Sequence, residues 1–297
     1  FRVEDTGNVG IGTTSPSEKL TVAGNILATG NLTIEGTSTL ETIDLPDTTH
    51  DNLTGIIYKD GVPFIHNFNY GFNGTVTTEG YNLFIGKNAG NFTMGSEATL
   101  SYQASYNVGI GDGALYSNTT GYENVAIGYQ AGYSNTTGYN NTFIGRDAGA
   151  HNTTGYENTF IGRNAGVSNT TGYENTFIGK SAGYHNTTGY YNTFIGRDAG
   201  ASNTTGSYNA ILGAYAGKGI FGNSDISRNV LLGYAAGYSL QTGADNNILI
   251  GYKAGDNITT GHNNILIGYD IDTPTATTSN FLSIDNLIFG TNIDRTG

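Results

Sequence analysis

The chain has no cysteine, no tryptophan, a single methionine and only 4 prolines in 297 residues. Without cysteine there are no disulfides, no thiolate metal sites and no cysteine nucleophile. Charge is scarce as well. Asp, Glu, Lys and Arg make up 12% of the residues, against roughly a quarter in ordinary soluble domains. Basic residues are the scarcer sign, 12 against 24 acidic, for a formal net charge of −12. That balance argues against nucleic acid and anionic membrane surfaces as partners, because both demand basic patches. No apolar run approaches the ~18 residues of a spanning helix, so membrane insertion of this segment is not expected. The chain opens at Phe1 without Met or a signal peptide and reads as a segment of a longer or processed polypeptide.

What is abundant is glycine, 46 residues, and tyrosine, 21 residues, with Asn and Thr visibly enriched. Gly, Asn and Thr are poor helix formers, so the palette suits turns, short strands and flat stacked surfaces.

The residues are ordered in a repeat. A strand-like phrase such as Thr142-Phe143-Ile144 closes on a glycine, and that glycine recurs at Gly86, Gly111, Gly128, Gly145, Gly162, Gly179, Gly196, Gly213, Gly233, Gly251 and Gly268. From Gly111 to Gly213 the spacing is 17 residues six times running. A second glycine follows four residues on, as in Gly149, and a third closes an Asn-Thr-Thr-Gly step, as in Gly155. A period of 17 is too short for helical-hairpin repeats of about 33 residues or more. It fits one coil of a β-solenoid, with two short strands and two tight turns whose glycines supply positive φ. The expected fold class is all-β: a trimeric parallel β-solenoid, or β-roll, of about eleven 17-residue coils with a β-stranded N-terminal stalk.

Each repeat position then becomes a column along the rod. Ile110, Ile127, Ile144, Ile161, Ile178, Ile195, Leu212, Leu232, Ile250 and Ile267 form one apolar column. Two residues earlier runs a β-branched or small column, Val108 to Ile265. Alternation puts these two columns on one face, and that face is expected to be the coil interior. Between them lie Phe143, Phe160, Phe177, Phe194, Ile211, Leu231, Leu249 and Leu266, expected to point outward. An exposed apolar ladder of that length needs cover, so these eight residues are the expected oligomer interface. Asn124, Asn141, Asn158, Asn175, Asn192 and Asn209 share a further column and are expected to form a structural amide ladder.

Four regions are expected: an intertwined β stalk segment over 1–45, an aromatic cap or adaptor over 46–80, the β-roll repeat domain over 81–268, and a C-terminal cap over 269–297 leading to the next stalk segment. The cap carries the densest aromatic cluster, Tyr58, Phe64, Phe68, Tyr70 and Phe72. Caps are expected because an open coil end exposes unpaired backbone.

The Val-Ala-Ile-Gly strand at 125–128 and the Thr-Phe-Ile-Gly strand at 142–145 resemble the head repeats of trimeric autotransporter adhesins. The phrase Gly-Asn-Val-Gly-Ile-Gly-Thr-Thr-Ser-Pro at 7–16 is similar to phage tail-fibre and bacterial surface-fibre proteins. The resemblance implies a homotrimeric fibre, extracellular, on a virion or a cell surface. It also implies neighbouring fibre segments as partners and a role in length, stiffness and surface attachment.

Active-site constellations are not evident, and the chain is not expected to be an enzyme. His151 and His185 share a column with Ser117, Ser134, Ser168 and Ser202, which marks a solvated turn. Glu123, Glu157 and Glu174 form a stripe, whereas glycosidase carboxylates flank a cleft. No cofactor is expected. Asp270, Asp272 and Asp285 are a weak candidate for Ca²⁺ only, without calcium-loop spacing. Arg146, Arg163, Lys180 and Arg197 stack as a basic column, with Asp147 and Asp198 as local partners or the Glu column of a neighbouring subunit as the alternative. Tyr122, Tyr139, Tyr156, Tyr173 and Tyr190 are candidate contacts to surface glycans, or cross-coil stacks that stiffen the turn. Asn118, Asn135, Asn152, Asn169, Asn186 and Asn203 match the N-glycosylation pattern. Two other functional readings stay open: a self-assembling cell-surface filament, and a carbohydrate- or ice-binding solenoid using the Thr-Thr pairs.

Overall fold

The computed structural model of the chain describes residues 2–3, 9–11, 20–22, 46–220 and 222–284. The chain divides into two compact units, residues 1–44 and 45–297. In the first, β1 (Arg2–Val3), β2 (Val9–Ile11) and β3 (Leu20–Val22) form a small sheet, antiparallel between β1 and β2 and parallel between β2 and β3. The rest of the expected stalk lies outside the described residues.

The second unit is an all-β parallel solenoid with coils of about 17 residues. It opens with an antiparallel hairpin, β4 (Ile57–Lys59) and β5 (Val62–His66), and β5 pairs antiparallel with β6 (Leu83–Ile85). From there every strand is three residues long and parallel to the last: β7 (Val108–Ile110), β8 (Val125–Ile127), β9 (Thr142–Ile144), β10 (Thr159–Ile161), β11 (Thr176–Ile178), β12 (Thr193–Ile195), β13 (Ala210–Leu212), β14 (Val230–Leu232), β15 (Ile248–Ile250), β16 (Ile265–Ile267) and β17 (Leu282–Ile284). The register is strict, Thr159 opposite Thr176 and Phe160 opposite Phe177, so identical residues stack. Each coil has one strand, not the two expected. The remainder is turns, stitched to the next coil by backbone hydrogen bonds such as Gly149 N–H to Ala165 O at 3.0 Å.

The strand faces are the reverse of the sequence expectation. Phe143, Phe160, Phe177 and Phe194 are fully buried within the single chain, as are Leu231, Leu249 and Leu266, and Ile211 is 1% exposed. The residues on either side of them, such as Thr159 and Ile161, point outward and are half-buried. A coil of this bore holds one large side chain per layer, and a three-residue strand that aims its centre inward supplies one. The opposite wall is made of small residues. Ala148, Ala165, Ala182 and Ala199 are fully buried, and a Cβ added to Gly149 would sit 2.5 Å from the Phe143 ring. Phe160, Phe177 and Phe194 stack ring on ring at 4.8 Å. The glycine that closes each strand has a different reason. Gly162 has φ +131°, and an added Cβ would meet the Gly179 carbonyl oxygen at 2.6 Å.

The cap aromatics do not form one cluster. Phe68 is buried, Tyr70 stacks on His50 at 4.4 Å, and Tyr58 and Phe72 are exposed.

Candidate interaction surfaces

Two asparagine ladders occupy the core beside the phenylalanines. In the first, running from Asn82 to Asn264, Asn158 Nδ2 donates to Asn141 Oδ1 at 3.1 Å and to Gly172 O at 2.9 Å, while the Asn158 backbone N–H donates to the same Asn141 Oδ1 at 3.0 Å. Asn124, Asn141, Asn175, Asn192 and Asn209 occupy equivalent positions. The second ladder is built by the asparagines of the Asn-Thr-Thr-Gly steps. Asn152 Nδ2 donates to Asn135 Oδ1 at 2.7 Å and to Gly155 O at 2.9 Å. Asn118, Asn135, Asn152, Asn169, Asn186 and Asn203 are all fully buried. These are the residues that match the glycosylation pattern, and the folded rod leaves no room for a glycan on them.

The Tyr122, Tyr139, Tyr156, Tyr173 and Tyr190 rings stack at 4.9 Å with interplanar angles of 2 to 7°. Their faces are occupied by one another, so a sugar ring cannot lie flat on them. Only ring edges and hydroxyls meet solvent, and burial of the ladder pushes the Tyr122, Tyr139, Tyr156 and Tyr173 phenols up. The column is a cross-coil stack whose ring faces are not open to a sugar.

The outward sheet face is a flat stripe two side chains wide. One column runs Leu83, Val108, Val125, Thr142, Thr159, Thr176, Thr193, Ala210, Val230, Ile248, Ile265 and Leu282, and the other runs from Ile85 to Ile284. Ile127 is 38% exposed and Leu212 49%. At ~4.8 Å per strand the stripe is about 55 Å long, with a flat footprint of roughly 600 Å². The residues expected to face a partner are inside, and the residues expected inside form this surface.

Charge flanks the stripe on both sides. Glu123, Glu157 and Glu174 precede the strands, and Arg146, Arg163, Lys180 and Arg197 follow them. Arg146 Nε pairs with Asp147 at 3.0 Å and Arg197 Nε with Asp198 at 3.3 Å. The two guanidinium groups also lie over Tyr129 and Tyr215, 5.7 and 5.0 Å from the ring centroids. Such exposed pairs contribute about 0–1 kcal/mol each. On the acidic side, a hydrogen bond to Glu174 pushes the Tyr191 phenol up to about 12.

Among the described residues, no three His, Cys, Asp or Glu side chains converge as a metal site. Asp272 accepts the Asn257 N–H at 3.3 Å, and burial raises its carboxyl above the usual range. Asp285 lies outside the described residues. His151 is exposed on its turn. His66 is a buried histidine that the sequence pattern did not single out. Its Nε2 lies 3.0 Å from Ala89 O and its Nδ1 accepts the Phe68 N–H at 3.3 Å. It sits beside Phe84 and Phe92, with ring centroids at 5.0 and 4.6 Å. Burial lowers its pKa.

Comparison with protein-family models, with curated proteins and with solved structures finds no match.

Proposed function

We propose that this chain is the structural subunit of an extracellular fibre, on a virion or a cell surface, and that it works as a parallel homotrimer rather than as an enzyme. The carrying observation is the outward stripe of Thr, Val, Leu and Ile, continuous from β6 to β17. Its footprint of roughly 600 Å² reaches the upper end of what monomers tolerate. With the charged columns on either side included, the surface is of the order of the ~800 Å² per partner of a stable interface. Those columns also favour one orientation. When copies run parallel around an axis along the rod, the acidic edge of each meets the basic edge of the next. Antiparallel pairing about a crosswise axis puts like charges together at ~5 Å spacing along the rod. Three copies is the number that the resemblance of these strands to trimeric adhesin heads implies.

The test is mass in dilute solution by analytical ultracentrifugation. Three times the 31.2 kDa chain mass is expected. A stable single-chain mass at micromolar concentration overturns the reading.

A further inference from the structure

Tyr116 and Tyr133 stack at 5.0 Å with an interplanar angle of 8°. The coil before Tyr116 places Asn91 at that point of the column, and the aromatic stack stops. Asn91 is tied both into its own turn and to the next coil. Its Oδ1 accepts from the Thr93 backbone N–H at 2.8 Å and the Thr93 hydroxyl at 2.9 Å, and its Nδ2 donates to Asn118 O. A cavity of about 400 Å³ is left where the next ring would sit, lined by Tyr116, Phe92, Asn88, Thr93, Pro63 and His66 among others. Tyr116 is 43% exposed, and among the described residues no ring stacks on its second face. The His66 ring nitrogens are both engaged within the fold, so the histidine is floor and not a reactive group.

A second cavity of about 360 Å³ adjoins the first through Pro63 and is lined by Lys59, Lys87, Asp60 and Phe64. Two lysines and one aspartate line it, with the Lys59 ammonium over the Phe64 ring at 5.7 Å from the centroid, a local cationic excess on a chain of net charge −12. Both volumes lie in the roughly 300–1,000 Å³ range of small-molecule sites. An aromatic face open on one side, an adjacent amide from Asn88 and a cationic neighbour ask for a ligand that is ring-shaped, hydroxylated and carboxylated.

We propose that this junction between the cap hairpin and the first coils binds an acidic saccharide, with a pyranose ring continuing the Tyr133–Tyr116 stack and a carboxylate held by Lys59 and Lys87. The site belongs to one chain, so its occupancy and the assembly of copies are measured separately. The experiment is isothermal titration calorimetry of the full chain with a galacturonate hexamer, a hyaluronan hexamer and 3′-sialyllactose, beside methyl-esterified galacturonate hexamer. At least one acidic probe is expected to bind. Tyr116→Ala and Lys87→Glu should each weaken it at least tenfold, and masking the carboxylates should do the same to the galacturonate hexamer if that probe binds. Both variants are compatible with the fold, since Ala150 and Ala201 occupy the Tyr116 position in other coils and Asp112 occupies that of Lys87. Sedimentation of Tyr116→Ala should be unchanged. No binding of any acidic probe, binding insensitive to Tyr116→Ala, or equal affinity for the esterified and free hexamers overturns the proposal.

Discussion

Asn158 and Asn141 share one amide oxygen between two donors. Asn141 Oδ1 accepts both the side-chain and the backbone N–H of Asn158, at 3.1 and 3.0 Å. Each asparagine thereby fixes the backbone of the coil beside it. Replacing Asn158 by Ala leaves the Asn175 backbone N–H and one Asn175 Nδ2 hydrogen without their buried acceptor, at about 1–3 kcal/mol per group, while the Gly172 carbonyl keeps Asn169 Nδ2 as a donor. Asn158→Ala is expected to lower unfolding free energy by about 2–5 kcal/mol in urea titration. Asn158→Asp should be worse still, because an ionised carboxylate would face the Asn141 oxygen in a dry core.

Neighbouring positions on one strand carry opposite predictions. Phe160 is fully buried and Ile161 is not. Phe160→Ala opens a cavity in the coil and should cost about 3–5 kcal/mol of chain stability. Ile161→Asp places its charge on the outward stripe. It should leave the secondary structure seen by circular dichroism intact and shift the sedimenting mass toward the single chain. If Ile161→Asp leaves the assembly intact at high dilution, the outward stripe is not the interface.

The coil period, the turn glycines and the parallel stacking were legible in the sequence because strict register makes a column of identical residues. The inside and the outside are the reverse of what alternation alone suggests. Period-two alternation defines two faces without saying which is inner, and counting apolar columns favoured the face that carries two. The deciding signal is volume. Where the strand centre is Phe, the opposite wall offers Ala148 and Gly149. Where it is Gly109 or Ala126, the wall supplies Leu115, and where it is Leu231 or Leu249, Leu240 and Ile258 replace ladder asparagines. Such compensation occurs only between residues that share a core. The cavity beside Tyr116 depends on the short side chain of Asn91 one coil away, which no local motif announces.

Buried His66 makes the cap sensitive to mild acid. Its folded pKa lies below the ordinary 6.5 because burial disfavours the imidazolium. The unfolded chain therefore takes the proton first, and stability that is complete above about pH 6.5 declines as the pH falls below it. His185, whose pKa is also lowered by burial, acts in the same direction. Melting temperature is expected to drop between pH 7.5 and 5.5. His66→Gln should flatten that slope, whereas His185→Ser, the residue found at this position in other coils, should flatten it less. An unchanged slope in His66→Gln contradicts this assignment.

Asp225 repairs a break in the repeat. In regular coils one carbonyl oxygen, such as Thr170 O, receives the Thr153, Thr154 and Gly155 N–H groups at 2.9, 3.2 and 3.2 Å. After Gly206 the coil lengthens, and Asp225 Oδ1 takes over, accepting the Thr204 and Thr205 N–H groups at 2.9 and 2.8 Å and the Thr204 hydroxyl. Burial pushes its carboxyl up, but these hydrogen bonds outweigh burial and hold it below the usual 3.8. The native state thus prefers the ionised form, so its contribution is complete above about pH 3.8 and is lost as the pH falls through the lower folded value. Asp225→Ala should cost about 1–3 kcal/mol at neutral pH by orphaning the donors. Asp225→Asn keeps an acceptor oxygen and should cost less, while removing this part of the stability change between pH 5 and 3. The comparison uses urea midpoints of the three proteins at both pH values. A loss in Asp225→Ala no larger than in Asp225→Asn at neutral pH would show that the oxygen does not hold the turn.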